Sequence, residues 1–166
     1  MAYLKTIETS QTWVCPKDGD YKIICVAGGQ GGVVNSTAGG DGGTTSFGSY
    51  LSASGYGSRG GYGGAFHGGG GGYTGYAYGG TGGVANSPNF TSGTINGGAP
   101  MTPGSGWGAG GSGTSGKGGD GGKLMTTAIH LTAGTSIACT IGIGGVGGSS
   151  DTRYAGLPGV IIIQEV

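Results

Sequence analysis

Apolar residues along this chain gather toward its two ends. Residues 13–26, WVCPKDGDYKIICV, hold two β-rich runs separated by the turn formers Pro16, Lys17, Asp18 and Gly19, and they predict a hairpin. Residues 124–143 contain AIHL, the turn Thr132-Ala133-Gly134-Thr135 and then SIACTIGI. Ile137, Cys139, Ile141 and Ile143 fall there at every second position, which predicts a second hairpin with one apolar face. The β-branched run from Gly159 to Ile163 follows Pro158 and reads as a buried strand. Residues 44–54, TTSFGSYLSAS, add a further strand with Phe47, Tyr50 and Leu51. Helical periodicity is absent throughout. Because both ends need an apolar partner, the expectation is that they pack on one another as a small sheet or sandwich and that the termini meet.

The middle of the chain obeys a different period. GGQGG at 28–32, GGDGG at 39–43, GGYGG at 60–64, GGTGG at 79–83, GGDGG at 118–122 and GGVGG at 144–148 repeat one unit with an internal spacing of three. Three residues per turn is the period of the extended polyproline II helix, which forms no internal hydrogen bonds, so its amides must bond to neighbours. With glycine on two of three faces, such helices can approach closely enough to exchange N–H···O=C bonds and Cα–H···O contacts. The third face would carry Gln30, Asp41, Tyr62, Thr81, Asp120 and Val146 outward. The expected class is therefore all-β or irregular without α-helix: a bundle of polyglycine II helices capped by a sheet or sandwich of the N- and C-terminal strands.

Composition agrees with that picture. Of 166 residues 48 are glycine, and Leu, Ile, Val and Phe together number 27, too few for a large conventional core. Seven basic residues balance seven acidic ones, which removes the long-range attraction that nucleic acid or an anionic membrane would need. The opening MAYLKTIETSQTW lacks the basic and apolar regions of a signal peptide, and no stretch approaches a membrane-spanning length. Cys15, Cys25 and Cys139 lie in strand-like segments without CxxC spacing, which suits free, buried thiols.

Motifs for catalysis are weak. Residues 111–118, GSGTSGKG, approach a phosphate-binding loop but place Gly118 where a magnesium-binding hydroxyl belongs, and no helix follows. Residues 106–111, GWGAGG, match the dinucleotide fingerprint only as letters, with no βαβ unit around them. One RGGY at 59–62 lacks the repeated charge of RNA-binding RGG segments. His67 and His130 have no carboxylate or cysteine at ligand spacing. No catalytic residue, metal site or cofactor is expected, and the chain reads as something other than an enzyme. The candidate binding residues are aromatic: Tyr56, Tyr62, Phe66, His67, Tyr73, Tyr76, Tyr78, Phe90 and Trp107, all in loops between glycine runs. Tyr and Trp offer rigid contact area with a polar tip, and the same rings could instead fill grooves of the glycine bundle.

Residues WVCPKDGDYKIICVAGGQGG, GGTTSFGSYLSASG, TTAIHLTAGTSIACTIGIGGVGG and GLPGVIIIQEV, in that order, resemble the glycine-rich domain of bacteriophage tail-fibre and adhesin proteins. The resemblance covers nearly all of the chain after residue 12. It departs at Cys15, where that family commonly has a small apolar residue. It implies a compact β-capped bundle of polyglycine II helices whose distal loops touch the bacterial surface. On this reading residues 1–12 form an N-terminal arm for attachment or assembly and residues 13–166 a single domain. The protein would be a virion component, a tail-fibre tip or adhesin, made in the host cytoplasm without a signal peptide. Its partners would be a bacterial outer-surface protein or glycan and other tail or fibre proteins, with homo-oligomers open and no nucleic acid or membrane insertion. The alternative is a structural fibre or decoration subunit that mainly self-assembles.

Overall fold

The computed structural model describes residues 3–32, 39–53, 57–58, 62–63, 107–108, 123–125, 128–148 and 155–166. Among them there is no helix, in agreement with the all-β expectation. The strands are β1 (Leu4–Ile7), β2 (Gln11–Val14), β3 (Gly19–Val26), β4 (Thr45–Phe47), β5 (Leu51–Ala53), β6 (Gly57–Ser58), β7 (Tyr62–Gly63), β8 (Lys123–Met125), β9 (Ile129–Leu131), β10 (Ser136–Thr140) and β11 (Val160–Glu165).

Two antiparallel sheets share the apolar residues. The first runs β1-β11-β3-β8, with β9 also on β3; the second runs β2-β10-β4-β5; β6 and β7 pair separately. The C-terminal run is the centre of the first sheet, pairing Ile161 with Cys25 and Ile163 with Ile23 on one side and Lys5 with Ile163 on the other. The ends of the chain therefore meet, as their shared need for burial predicts. Residues 4–7 and 11–14 supply the edge strand of each sheet in turn, so the N-terminal segment is woven into both.

Neither expected hairpin forms. β2 lies in the second sheet and β3 in the first; β9 lies in the first and β10 in the second. Both turns are arches that cross between sheets, and they brace each other: Cys15 N–H donates to the Thr135 carbonyl at 2.9 Å and Gly134 N–H to the Cys15 carbonyl at 2.8 Å. The physical reason lies in the alternation itself. A hairpin would put Trp13 beside Tyr21 and Ile23 on one face with nothing above them, whereas an arch turns the two apolar faces toward one another. In the buried layer between the sheets, Tyr3, Trp13, Tyr21 and Phe47 pack ring to ring, with neighbouring centroids 5.6–6.3 Å apart. Trp13 Nε1–H donates to Tyr3 Oη at 3.0 Å, satisfying the indole.

The three cysteines are free and buried. Burial pushes the Cys25 thiol up to about 12, with a further push from Cys139, and raises Cys139 as well. Both sulfurs behave as small apolar groups.

Candidate functional site

Beyond the sandwich, four of its strands continue as glycine tracts. β3 runs into residues 28–32, β10 runs into 142–148, and residues 39–43 and 156–159 lead into β4 and β11. Outside any strand, these tracts bond to one another. Gly28 N–H donates to Gly43 and Gly31 to Gly40; Gly43 donates to Ile143 and Gly40 to Val146; Gly145 donates to Gly29 and Gly148 to Gly32; Gly159 donates to Gly142 and Gly156 to Gly145, all at 2.7–2.9 Å. In every pair the second donor lies three residues from the first. That is the spacing the sequence repeats, and it differs from the two-residue alternation of a sheet.

Glycine is required by how close the backbones lie. A Cβ on Gly31 would strike the Val146 carbonyl, one on Gly145 the Gly40 carbonyl and one on Gly142 the Gly43 carbonyl. Residues 27–32 are buried along their whole length, so this tract is the centre and the others surround it. That position corrects one expectation. Gln30 does not point outward; it is 4 % exposed, and its Nε2 donates to Asp41 Oδ1 at 3.3 Å. A middle tract has neighbours on every side, so its third face has no solvent to reach.

On the outer tracts the third positions do face water. Asp41 is exposed, and Ile143 and Val146 are 75 % and 73 % exposed, three residues apart on one ridge. Leu157 of the neighbouring tract is also exposed. Alternation had assigned Ile143 to the apolar face of a strand; β10 ends at Thr140, and Ile143 belongs to the period of three instead. Val146 was legible as a third position, whereas Leu157 carried no signal of its own.

Among the nine aromatic candidates, Tyr56, Phe66, His67, Tyr73, Tyr76, Tyr78 and Phe90 lie outside the described residues. Tyr62 is in β7, opposite Ser58. Trp107 is 43 % exposed, and its Nε1–H donates to Glu8 Oε1 at 2.9 Å. Gly108 holds φ +69°, donates to the Pro158 carbonyl at 2.7 Å, and has no room for a Cβ beside the Ala27 carbonyl and Val26 Cγ1. The Trp107-Gly108 turn is thereby fixed at the join between β3 and its glycine tract.

His130 Nδ1 lies 2.9 Å from Asp20 Oδ1 across the β3–β9 pair, and both side chains are exposed. Among the described residues no three His, Cys, Asp or Glu side chains come together to hold a metal, and no helix is long and apolar enough to cross a membrane. Comparison with protein-family models, with curated proteins and with solved structures gives no match.

Proposed function

We propose that the protein is a bacteriophage virion component, a tail-fibre tip or adhesin, whose glycine tracts form a polyglycine II scaffold that presents surface loops to the bacterial host. The observation that carries this reading is the set of backbone hydrogen bonds repeating every third residue between tracts that extend the strands. Such a block is rigid without a side-chain core. Its exposed third positions, Asp41, Ile143 and Val146, are therefore free to vary in chemistry without a folding role, which suits a recognition surface. The order of sequence blocks that resembles tail-fibre glycine-rich domains supports the same role, as does the wealth of Tyr, Ser, Gly and Asn between tracts. Binding, with no catalytic step, is the whole mechanism: an outer-surface protein or glycan of the host is the partner, and other tail or fibre proteins hold the domain in the particle.

The test is adsorption. The purified protein should bind susceptible cells and compete with infecting particles, and the triple change Tyr73→Ala, Tyr76→Ala, Trp107→Ala should weaken binding while leaving the thermal unfolding transition in place. Undiminished binding by the triple variant removes these residues from the contact. A folded protein that neither adsorbs nor competes removes the adhesin reading itself.

A further inference from the structure

Among the described residues, one flank of the sandwich is built from the edge strands of both sheets, β1 and β2, joined by residues 8–10. Antiparallel pairing alternates residues that bond to the neighbour with residues whose N–H and C=O point off the sheet. In β1 the Glu165 N–H donates to the Tyr3 carbonyl, so Lys5 and Ile7 face β11 while the backbone groups of Leu4 and Thr6 point away. In β2 the bonds between Cys15, Thr135 and Gly134 set the phase, so Gln11 and Trp13 face β10 and the groups of Thr12 and Val14 point away. Thr12 and Val14 are exposed, Val14 by 53 %.

Outward donors and acceptors on an edge are hydrated in the free chain, and their spacing matches that of another extended backbone. The two edges differ in what a second copy would meet. Pairing β1 with itself about a two-fold axis, with Leu4 opposite Thr6, sets Lys5 opposite Lys5, and like charges directly opposite oppose pairing. The same operation on β2 sets Thr12 opposite Val14 and Trp13 opposite Trp13, with no charge at all. The difference extends across the sheets. Strands of the first sheet carry Lys5, Asp20, Lys22, Lys123 and Glu165, whereas the four strands of the second carry no charged residue. Charged side chains are the usual guard against edge pairing, and β2 lacks one.

We propose that β2 is a self-pairing edge: a second copy of this chain adds its own β2 in antiparallel register about Trp13, joining the two second sheets into one continuous sheet of eight strands. This inference is independent of the adhesin reading. Two outward residues per copy make a small contact, so the association is weak, with a dissociation constant on the order of 0.1–1 mM, and it gains strength where copies are held together.

The experiment combines sedimentation equilibrium with residue-resolved amide exchange on the full chain, from about 10 µM to about 2 mM, a range that spans such a constant. Expected is a monomer–dimer equilibrium in which the Thr12 and Val14 amides slow by roughly three- to sevenfold at about 2 mM, the limit set by the monomer that remains with such a constant, while those of Leu4 and Thr6 do not change. Val14→Pro removes an outward N–H without touching the ladder to β10 and should abolish the dimer. Val14→Lys, at an exposed position that leaves the fold intact, should weaken it roughly tenfold and regain strength with added salt. A monomer throughout the range overturns the proposal. So does a dimer that protects Leu4 and Thr6 instead, or that survives both changes at Val14.

Discussion

The glycine block is built from the continuations of four strands of the sandwich, and the two regions hold together by opposite means. In the sandwich, β3 and β11 stand across from β4 and β10 with a layer of side chains between them, at the roughly 10 Å spacing of packed sheets. A few residues further along, the same segments have no side chains to separate them, and tracts from opposite sheets bond backbone to backbone at 2.8–2.9 Å. In the sandwich, stability comes from apolar volume removed from water. In the block it comes from amides that satisfy each other, each bond worth about 0.5–1.5 kcal/mol net, against the large backbone entropy that glycine loses. Neither region offsets its entropy cost in the manner of the other, and one chain needs both.

That contrast can be broken most sharply with one methyl group. Gly31→Ala drives a Cβ into the Val146 carbonyl of a backbone that has no side chain to move aside, and should cost about 3–5 kcal/mol. The sandwich fails in the other direction. Ile163→Ala removes fully buried volume between sheets and should cost about 2–5 kcal/mol, yet Ile163→Val should cost only about 0.5–1.5 kcal/mol. Urea unfolding monitored by tryptophan fluorescence, with Trp107 replaced by Phe so that Trp13 alone reports, measures all three. If Gly31→Ala unfolded at the parental midpoint, the close approach of the tracts would be refuted.

A smaller effect sits at the junction. Thr45 is fully buried and its Oγ1 accepts the Gly142 N–H at 2.9 Å, where a strand of one region meets a tract of the other. Thr45→Val keeps the shape and leaves that amide without an acceptor, at about 1–3 kcal/mol by the same unfolding measurement. Thr45→Ser should recover most of the loss.

The smallest effect is a matter of pH and belongs to the sandwich alone. The hydrogen bond from Lys17 and the Tyr3 N–H at 2.8 Å hold the Glu165 carboxyl below its ordinary 4.5. A depressed carboxyl contributes stability above its unfolded value and loses it as pH falls through its folded value. Stability should therefore decline below about pH 4.5, and Glu165→Gln should flatten that acid limb. An acid limb identical in the variant would assign the loss to other carboxylates.

The sequence was legible wherever side chains carry the pattern. The all-β class, the buried C-terminal strand, the meeting of the ends and the buried thiols follow from β-branched runs and from alternation at Ile137 and Cys139. What could not be read was which sheet each strand joins. Pro16 to Gly19 and Thr132 to Thr135 have the composition of turns, and composition does not distinguish a hairpin from an arch; only the apolar faces of Trp13 and Tyr21, seeking each other, decide it. Around the candidate site, the spacing of three foretold the outward Asp41 and Val146. It failed at Gln30, because the repeat says nothing about which tract lies in the middle. Trp107 was legible as an exposed aromatic but not as a donor to Glu8, ninety-nine positions away.

A tract of bare glycine has one further property. With no side chains it has no phase: slid by three residues along its neighbour, GGQGG would find nearly the same partners. Such degeneracy makes glycine-rich pairing prone to slippage. Here each tract is the direct extension of a strand whose own alignment is locked by Tyr21, Ile23, Phe47, Ile137 or Ile161 in the core. The sandwich thus acts as a jig. It sets the vernier from which every hydrogen bond beyond it is counted, so the alignment of the strands fixes how the tracts stack.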